Sequence, residues 1–201
     1  MKVSFCITCY DGDAHLLEYS LSCIKMQTTE PDEILVVASG LKSLGCADPT
    51  IKVYHFENRM LAGGARNKGG ELATGDVVCF CDVDDIIHPQ KCEVIKNIFQ
   101  SQEIDALVHN YNMGLREFDP VKDTHIEKVV KTDPLPSTNV EAPSRLPICH
   151  GHMSARKEVL SDIKYREDMS CGEDGVFCQS IVKSSQYTLY YTPLKLINYI
   201  T

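Results

Sequence analysis

The chain has 201 residues, 43% hydrophobic and 24% charged, which suits one globular domain and excludes a disordered or fibrous polypeptide. Twenty Lys and Arg against 28 Asp and Glu give a net charge of -8, so no general attraction to nucleic acid or to an anionic membrane is expected. The longest apolar runs, Ile34–Ala38 and Val77–Cys81, are far below the roughly 18–20 residues that a membrane span needs.

Val3–Thr8 reads as a buried strand ending at Tyr10-Asp11-Gly12-Asp13. Asp13 is placed to cap a helix over Ala14–Met26, with Leu17, Leu21 and Ile24 on one face. Glu33–Ala38 is a second strand, closed by Ser39-Gly40, and Ile51–Phe56 a third. Leu61–Ala73 reads as a helix despite four glycines, with Gly75 just past its end. Asp76–Cys81 is a fourth strand, running into Asp82-Val83-Asp84-Asp85. Pro89 opens a helix through Gln102, and Ala106–His109 is a fifth strand. Such alternation implies a mostly parallel central sheet with helices on both faces, whose ligands bind beyond the carboxyl ends of the strands.

The second half is less regular. Residues 110–147 carry five prolines and read as loops, with a strand at Lys128–Lys131. Ile148–Ala155 is a further strand, and Arg156–Ile163 and Glu173–Lys183 are helices. Tyr187–Thr192 and Leu194–Ile200, split by Pro193, are the final strands. The expected organisation is one domain over 1–201, with a first half over 1–100 and a second over 101–201.

Met1-Lys2 is followed by a strand rather than an unbroken apolar segment, and the chain has no Asn-x-Ser/Thr acceptor. Several of the ten cysteines lie in apolar strands, where a free thiol acts as a small hydrophobe. A reducing, cytoplasmic compartment is therefore expected. Structural zinc on Cys6-x-x-Cys9 and Cys79-x-Cys81 is disfavoured, because both pairs lie on strands without a second ligand pair.

Two stretches point to chemistry. Gly63, Gly64, Gly69 and Gly70 each cost a helix about 1 kcal/mol relative to alanine, so something must need close backbone approach there. Tight helix–sheet packing and a nearby ligand account for it equally well. Asp82, Asp84 and Asp85 end a strand too apolar to be solvated. Mutual repulsion there would be relieved by a hard divalent cation, Mg²⁺ or Mn²⁺, with phosphate oxygens completing its shell. The plainer alternative is a solvated acidic turn in which Asp85 caps the next helix.

The ordered blocks VSFCITCYDGD (Val3–Asp13), EILVVASG (Glu33–Gly40), GGARNKGGELATGDVVCFCDVDD (Gly63–Asp85) and CGEDGVFCQSIV (Cys171–Val182) resemble glycosyltransferase family 2, of the GT-A fold. The Gly63–Asp85 block is the specific part. The resemblance implies a Rossmann-like α/β fold: a nucleotide-sugar-binding half with a smaller, mixed acceptor-side region. It implies an inverting enzyme that moves a sugar from a nucleoside-diphosphate donor to a hydroxyl acceptor with Mn²⁺ or Mg²⁺. Thr8, Tyr10 and Asp11 would line the base pocket, and Arg66 and Asn67 would sit at the donor. In the Asp82-Val83-Asp84 segment, Asp82 would touch the ribose or sugar, and Asp84, with Asp82, would hold the metal. Asp174 would be the general base, with Glu173 as its orienting neighbour or alternate; both acids would equally suit a helix N-terminus.

The family usually carries an acid at the end of the second strand, where this chain has Ala38-Ser39. Either that contact is lost or Ser39 and Asp11 substitute for it, with a UDP-sugar favoured and GDP and dTDP open. His150 and His152, two apart on a predicted strand, are candidates for an acceptor-side wall, a metal pair or satisfied core groups. Two rival functions remain. A sugar-1-phosphate nucleotidyltransferase would need a basic loop after the first strand, whereas Tyr10–His15 is acidic. A glycan or sugar-nucleotide binding module would have kept the fold and lost turnover.

Overall fold

Along β1 (Val3–Tyr10), Val3, Phe5, Ile7 and Cys9 alternate with Ser4, Cys6 and Thr8. Along β4 (Val77–Asp82), Val77, Cys79 and Cys81 alternate with Val78 and Phe80. Successive strand residues point to opposite faces, so a strand apolar at every position must be covered on both. The computed structural model, which describes residues 1–114, 118–121, 126–129 and 152–200, shows that cover. The first set packs with α1 (Leu17–Lys25) and with the Ile95, Ile98 and Phe99 face of α3 (Lys91–Ser101). Cys6, Val78 and Phe80 pack on the other face against residues of α2 (Ala62–Leu72), α4 (Lys157–Asp162) and α5 (Glu173–Ser184).

Strands β2 (Glu33–Ser39) and β3 (Lys52–Phe56) complete a parallel block in the order β3-β2-β1-β4. Beyond β4 the sheet is mixed. Strand β8 (Ser154–Arg156) runs antiparallel between β4 and β6 (Ala106–Met113). Strand β6 pairs parallel with β9 (Leu189–Tyr199), and two short strands, β5 (Ile86–Ile87) and β7 (Glu127–Lys128), pair antiparallel with β9. Among the described residues no helix is long and apolar enough to cross a membrane. The nine described cysteines are free.

Several expected boundaries shift for physical reasons. Asp11–Leu16 forms a 3₁₀ turn without a side-chain cap, so Asp13 does not cap the helix, which starts at Leu17. The third helix starts at Lys91, five residues beyond Ile86, so Asp85 is not its cap. Pro193 does not divide the last strand. Thr192 pairs with His109 and Lys195 with Asn110, so the two residues between form a bulge in a continuous β9. Of the strands expected at Lys128–Lys131 and Ile148–Ala155, residues 130–131 and 148–151 lie outside the described residues.

The helix glycines serve packing. A Cβ on Gly69 would strike Cys6 Sγ of β1, one on Gly70 would meet Leu160 Cβ at 3.3 Å, and one on Gly63 would strike the backbone carbonyl of Arg166. Helix α2 therefore lies directly on the sheet and on the segment after α4. A backbone carbonyl cannot rotate away as a side chain can. Gly63→Ala should lower stability by about 1–3 kcal/mol through overpacking, despite a helix-propensity gain of about 1 kcal/mol. Urea unfolding checks this, and an unchanged or higher midpoint contradicts it.

Candidate active site

Because β1, β2 and β4 run parallel, their carboxyl ends open on one side of the sheet. Tyr10, Ser39 and Asp82, the last residues of those strands, line a cleft of about 320 Å³ together with the start of α2. Strand ends of this kind are where open α/β sheets bind ligands. The Ser39 hydroxyl accepts a hydrogen bond from Met60 N at 2.6 Å, which ties the end of β2 to the approach of α2.

Arg66 lies in the second turn of α2 and is 3% exposed. Its Nη2 donates to Asp82 Oδ1 and Oδ2 at 2.9 and 3.1 Å, and its Nη1 donates to Glu173 Oε1 at 2.5 Å. Thr8 Oγ1 donates to Asp82 Oδ1 at 3.0 Å. Burial works against the Asp82 charge, but Arg66, then His152 and the Thr8 hydroxyl, hold its carboxyl below the usual range. Both Asp82 oxygens are thus engaged within the protein.

A second buried set lies beneath. His152 Nε2 is 2.6 Å from Asp85 Oδ2, and the other Asp85 oxygen accepts from Ile200 N at 3.1 Å. His152 Nδ1 is 3.2 Å from Nζ of Lys91, a fully buried lysine whose ammonium also lies 4.0 Å from Cys81 Sγ. An ammonium can only donate, so Nδ1 accepts and the Nε2 proton goes to Asp85. Asp82, Asp85 and His152 bring ligand atoms within 4.8 Å of one another. A cation there would meet the positive charges of both Arg66 and Lys91, which makes this a poor metal site.

Asp84 differs from its neighbours. Its side chain is exposed at the cleft and makes no ion pair among the described residues. Water is withdrawn from it by the surrounding protein, and Asp85 and Asp82 repel its charge; together these push its carboxyl up to about 6. An unpaired carboxylate under that repulsion fits a hard divalent cation, which would complete its shell with ligand oxygens.

The expected residues separate accordingly. Thr8, Tyr10, Ser39, Arg66, Asp82, Val83 and Asp84 line the cleft. Asp11 is exposed on the 3₁₀ turn outside it, and Asp13 faces the cleft instead. Asn67 is turned away: Nδ2 donates to Tyr165 O at 3.0 Å and to Glu167 Oε1 at 2.9 Å, and Oδ1 accepts from Tyr165 N. His152 is 4% exposed, so it is a core group and no acceptor-side wall; His150 lies outside the described residues. Glu173 and Asp174 open α5, after Gly172 makes the turn at φ +77 that only glycine adopts without strain. Asp174 Oδ1 accepts from Gly175 N at 2.7 Å.

Arg59, Asp13 and Lys91 are site residues not singled out as such by sequence analysis. Arg59 precedes α2 in an unpatterned Glu57-Asn58-Arg59-Met60 stretch, so nothing marks it. Lys91 did carry a signal. It stands four residues before Ile95, on the apolar stripe of its helix, where a lysine is out of place.

The sequence model of Glycosyl transferase family 2 matches residues 4–164. EpsH of Bacillus subtilis (strain 168), named as a glycosyltransferase, is 29% identical over 140 residues, covering 66% of this chain and 40% of that protein. The uncharacterized glycosyltransferase alr2836 of Nostoc sp. is 30% identical over 121 residues, covering 56% of this chain and 37% of that protein. This chain therefore spans about 40% of the length of the curated relatives it matches. The crystal structure of S. aureus TarS in complex with UDP-GlcNAc superposes with a TM-score of 0.74 at 17% identity, over 100% of this chain and 59% of that one, which shows a shared GT-A fold.

Asp84 gives a stability prediction. Its folded carboxyl value lies above the ordinary 3.8, so its charge costs stability at neutral pH, and the cost fades as pH falls through 6. With divalent ions chelated, Asp84→Asn should raise the melting temperature at pH 8, and the gain should shrink at pH 5. A variant that melts lower than wild type at pH 8 contradicts the repulsion.

Proposed function

This chain belongs to glycosyltransferase family 2, and from that premise we propose that it moves a sugar from a nucleoside-diphosphate donor, a UDP-sugar by preference, to a hydroxyl acceptor with inversion at the anomeric carbon. The observation that carries the proposal is the cleft at the ends of β1, β2 and β4, into which Asp84 presents an unpaired carboxylate. TarS, of the same fold, has been crystallised with UDP-GlcNAc and with UDP.

Tyr10 offers a ring for the base, and Val83 and the fixed Asp82 carboxylate form the floor beneath the sugar. Asp84 would hold a divalent cation, Mn²⁺ or Mg²⁺, which when bound would supply positive charge to the departing diphosphate. The acceptor oxygen forms its bond to the anomeric carbon as the bond to the phosphate oxygen breaks, and the diphosphate leaves with that electron pair. Asp174 takes the acceptor proton. Glu173 is less suited to that task, because its carboxylate is neutralised by Arg66, whereas Asp174 makes no ion pair among the described residues. Residues 1–100 would hold the donor and 101–201 the acceptor side, within one domain.

Isothermal titration with UDP-sugars and Mn²⁺, followed by a donor-hydrolysis and transfer assay, tests this. Donor binding without hydrolysis or transfer to any acceptor would favour a binding module instead. Asp174→Asn should leave donor affinity within about twofold while turnover falls by about 10² or more. Full turnover in Asp174→Asn, with loss in Glu173→Gln, would move the base to Glu173.

A further inference from the structure

The donor cleft has a charge problem. A nucleoside diphosphate brings more than one negative charge to walls that already carry Asp13, Asp82 and Asp84. Arg59 and Arg66 are the basic residues among its described lining, and Arg66 is consumed by Asp82 and Glu173. That leaves Arg59. Its guanidinium carbon sits 4.7 Å from the centre of the Tyr10 ring, and its side chain makes no hydrogen bond or ion pair among the described residues.

Stacking on an aromatic face holds a guanidinium through its plane and leaves the N–H edges free, which is the presentation that phosphate oxygens accept in pairs. The stem is also positioned. Gly40, at φ +76, turns the chain beyond β2 so closely past Arg59 that a Cβ there would lie 3.3 Å from Arg59 Cβ. Gly40 N also donates to Phe56 O at 2.9 Å, which fixes the turn.

We propose that Arg59, lying over the Tyr10 ring, is the residue that binds the donor's diphosphate in ion-paired, hydrogen-bonded form. It rests on the donor proposed above and adds a cationic side chain to the divalent ion that proposal includes. Tyr10 then works as a platform for Arg59 as well as a border of the base pocket. The site selects donors by their phosphate charge, whatever sugar they carry.

The test is titration of UDP, GDP and dTDP into wild type, Arg59→Gln and Arg59→Lys with Mn²⁺ at fixed ionic strength, with circular dichroism confirming that each exposed-site variant folds. For the nucleotide that wild type binds most tightly, Arg59→Gln should bind about tenfold more weakly, and Arg59→Lys should recover only part of that loss, since it keeps the charge but not the ring contact or the paired N–H edges. A loss below threefold, a gain, or a lysine variant no better than glutamine overturns the assignment while leaving the donor proposal standing. Failure of wild type to bind any of the three nucleotides removes the donor proposal itself, and this inference with it.

Discussion

A guanidinium buried between two carboxylates joins distant parts of this chain. Arg66 on α2 reaches Asp82 at the end of β4 and, 107 residues away in sequence, Glu173 at the start of α5. Removing such charges from water costs several kcal/mol per ion, and their attraction offsets that cost only when the geometry is good. The two-oxygen contact with Asp82 provides it. The gain is one of position more than of stability: Asp82 in the cleft and Glu173 at the start of α5 are held in fixed relation by one cation.

That bridge divides the work among the acids of Asp82-Val83-Asp84-Asp85. Asp82 is spent on Arg66 and Thr8, and Asp85 on His152 and Ile200 N. Among the described residues, Asp84 alone of the three makes no ion pair, and it is open to the cleft. Its carboxyl value is raised first by the withdrawal of water and then by repulsion from Asp85 and Asp82, which their own hydrogen bonds hold in place. Locking two carboxylates in this way leaves the third as the one proposed above to hold a cation. The bridge acts likewise on α5, where Glu173 is engaged and Asp174 makes no ion pair among the described residues.

Much of the parallel half was legible because its physics is local. Continuous apolar runs such as Val77–Cys81 admit few alternatives to a strand covered on both faces, and the glycines of α2 announced a close approach. Which approach it was could not be read, since Cys6 and the Arg166 carbonyl come from remote parts of the sequence. Side-chain direction was the main loss. Asn67 follows Arg66 directly, yet one step along a helix turns a side chain by about 100° and carries Asn67 from the cleft to Tyr165 and Glu167. Arg59 was missed for the opposite reason: its position depends on Tyr10 and Gly40, both more than 15 residues away, and on no local pattern.

The central claim, that Arg66 keeps Asp82 while Asp84 faces the metal, is tested most directly by a crystal structure with UDP and Mn²⁺ and an anomalous map at the manganese edge. The account predicts one manganese peak beside Asp84, with Arg66 still spanning Asp82 and Glu173. A peak among Asp82, Asp85 and His152, with the Arg66 guanidinium displaced, would contradict it.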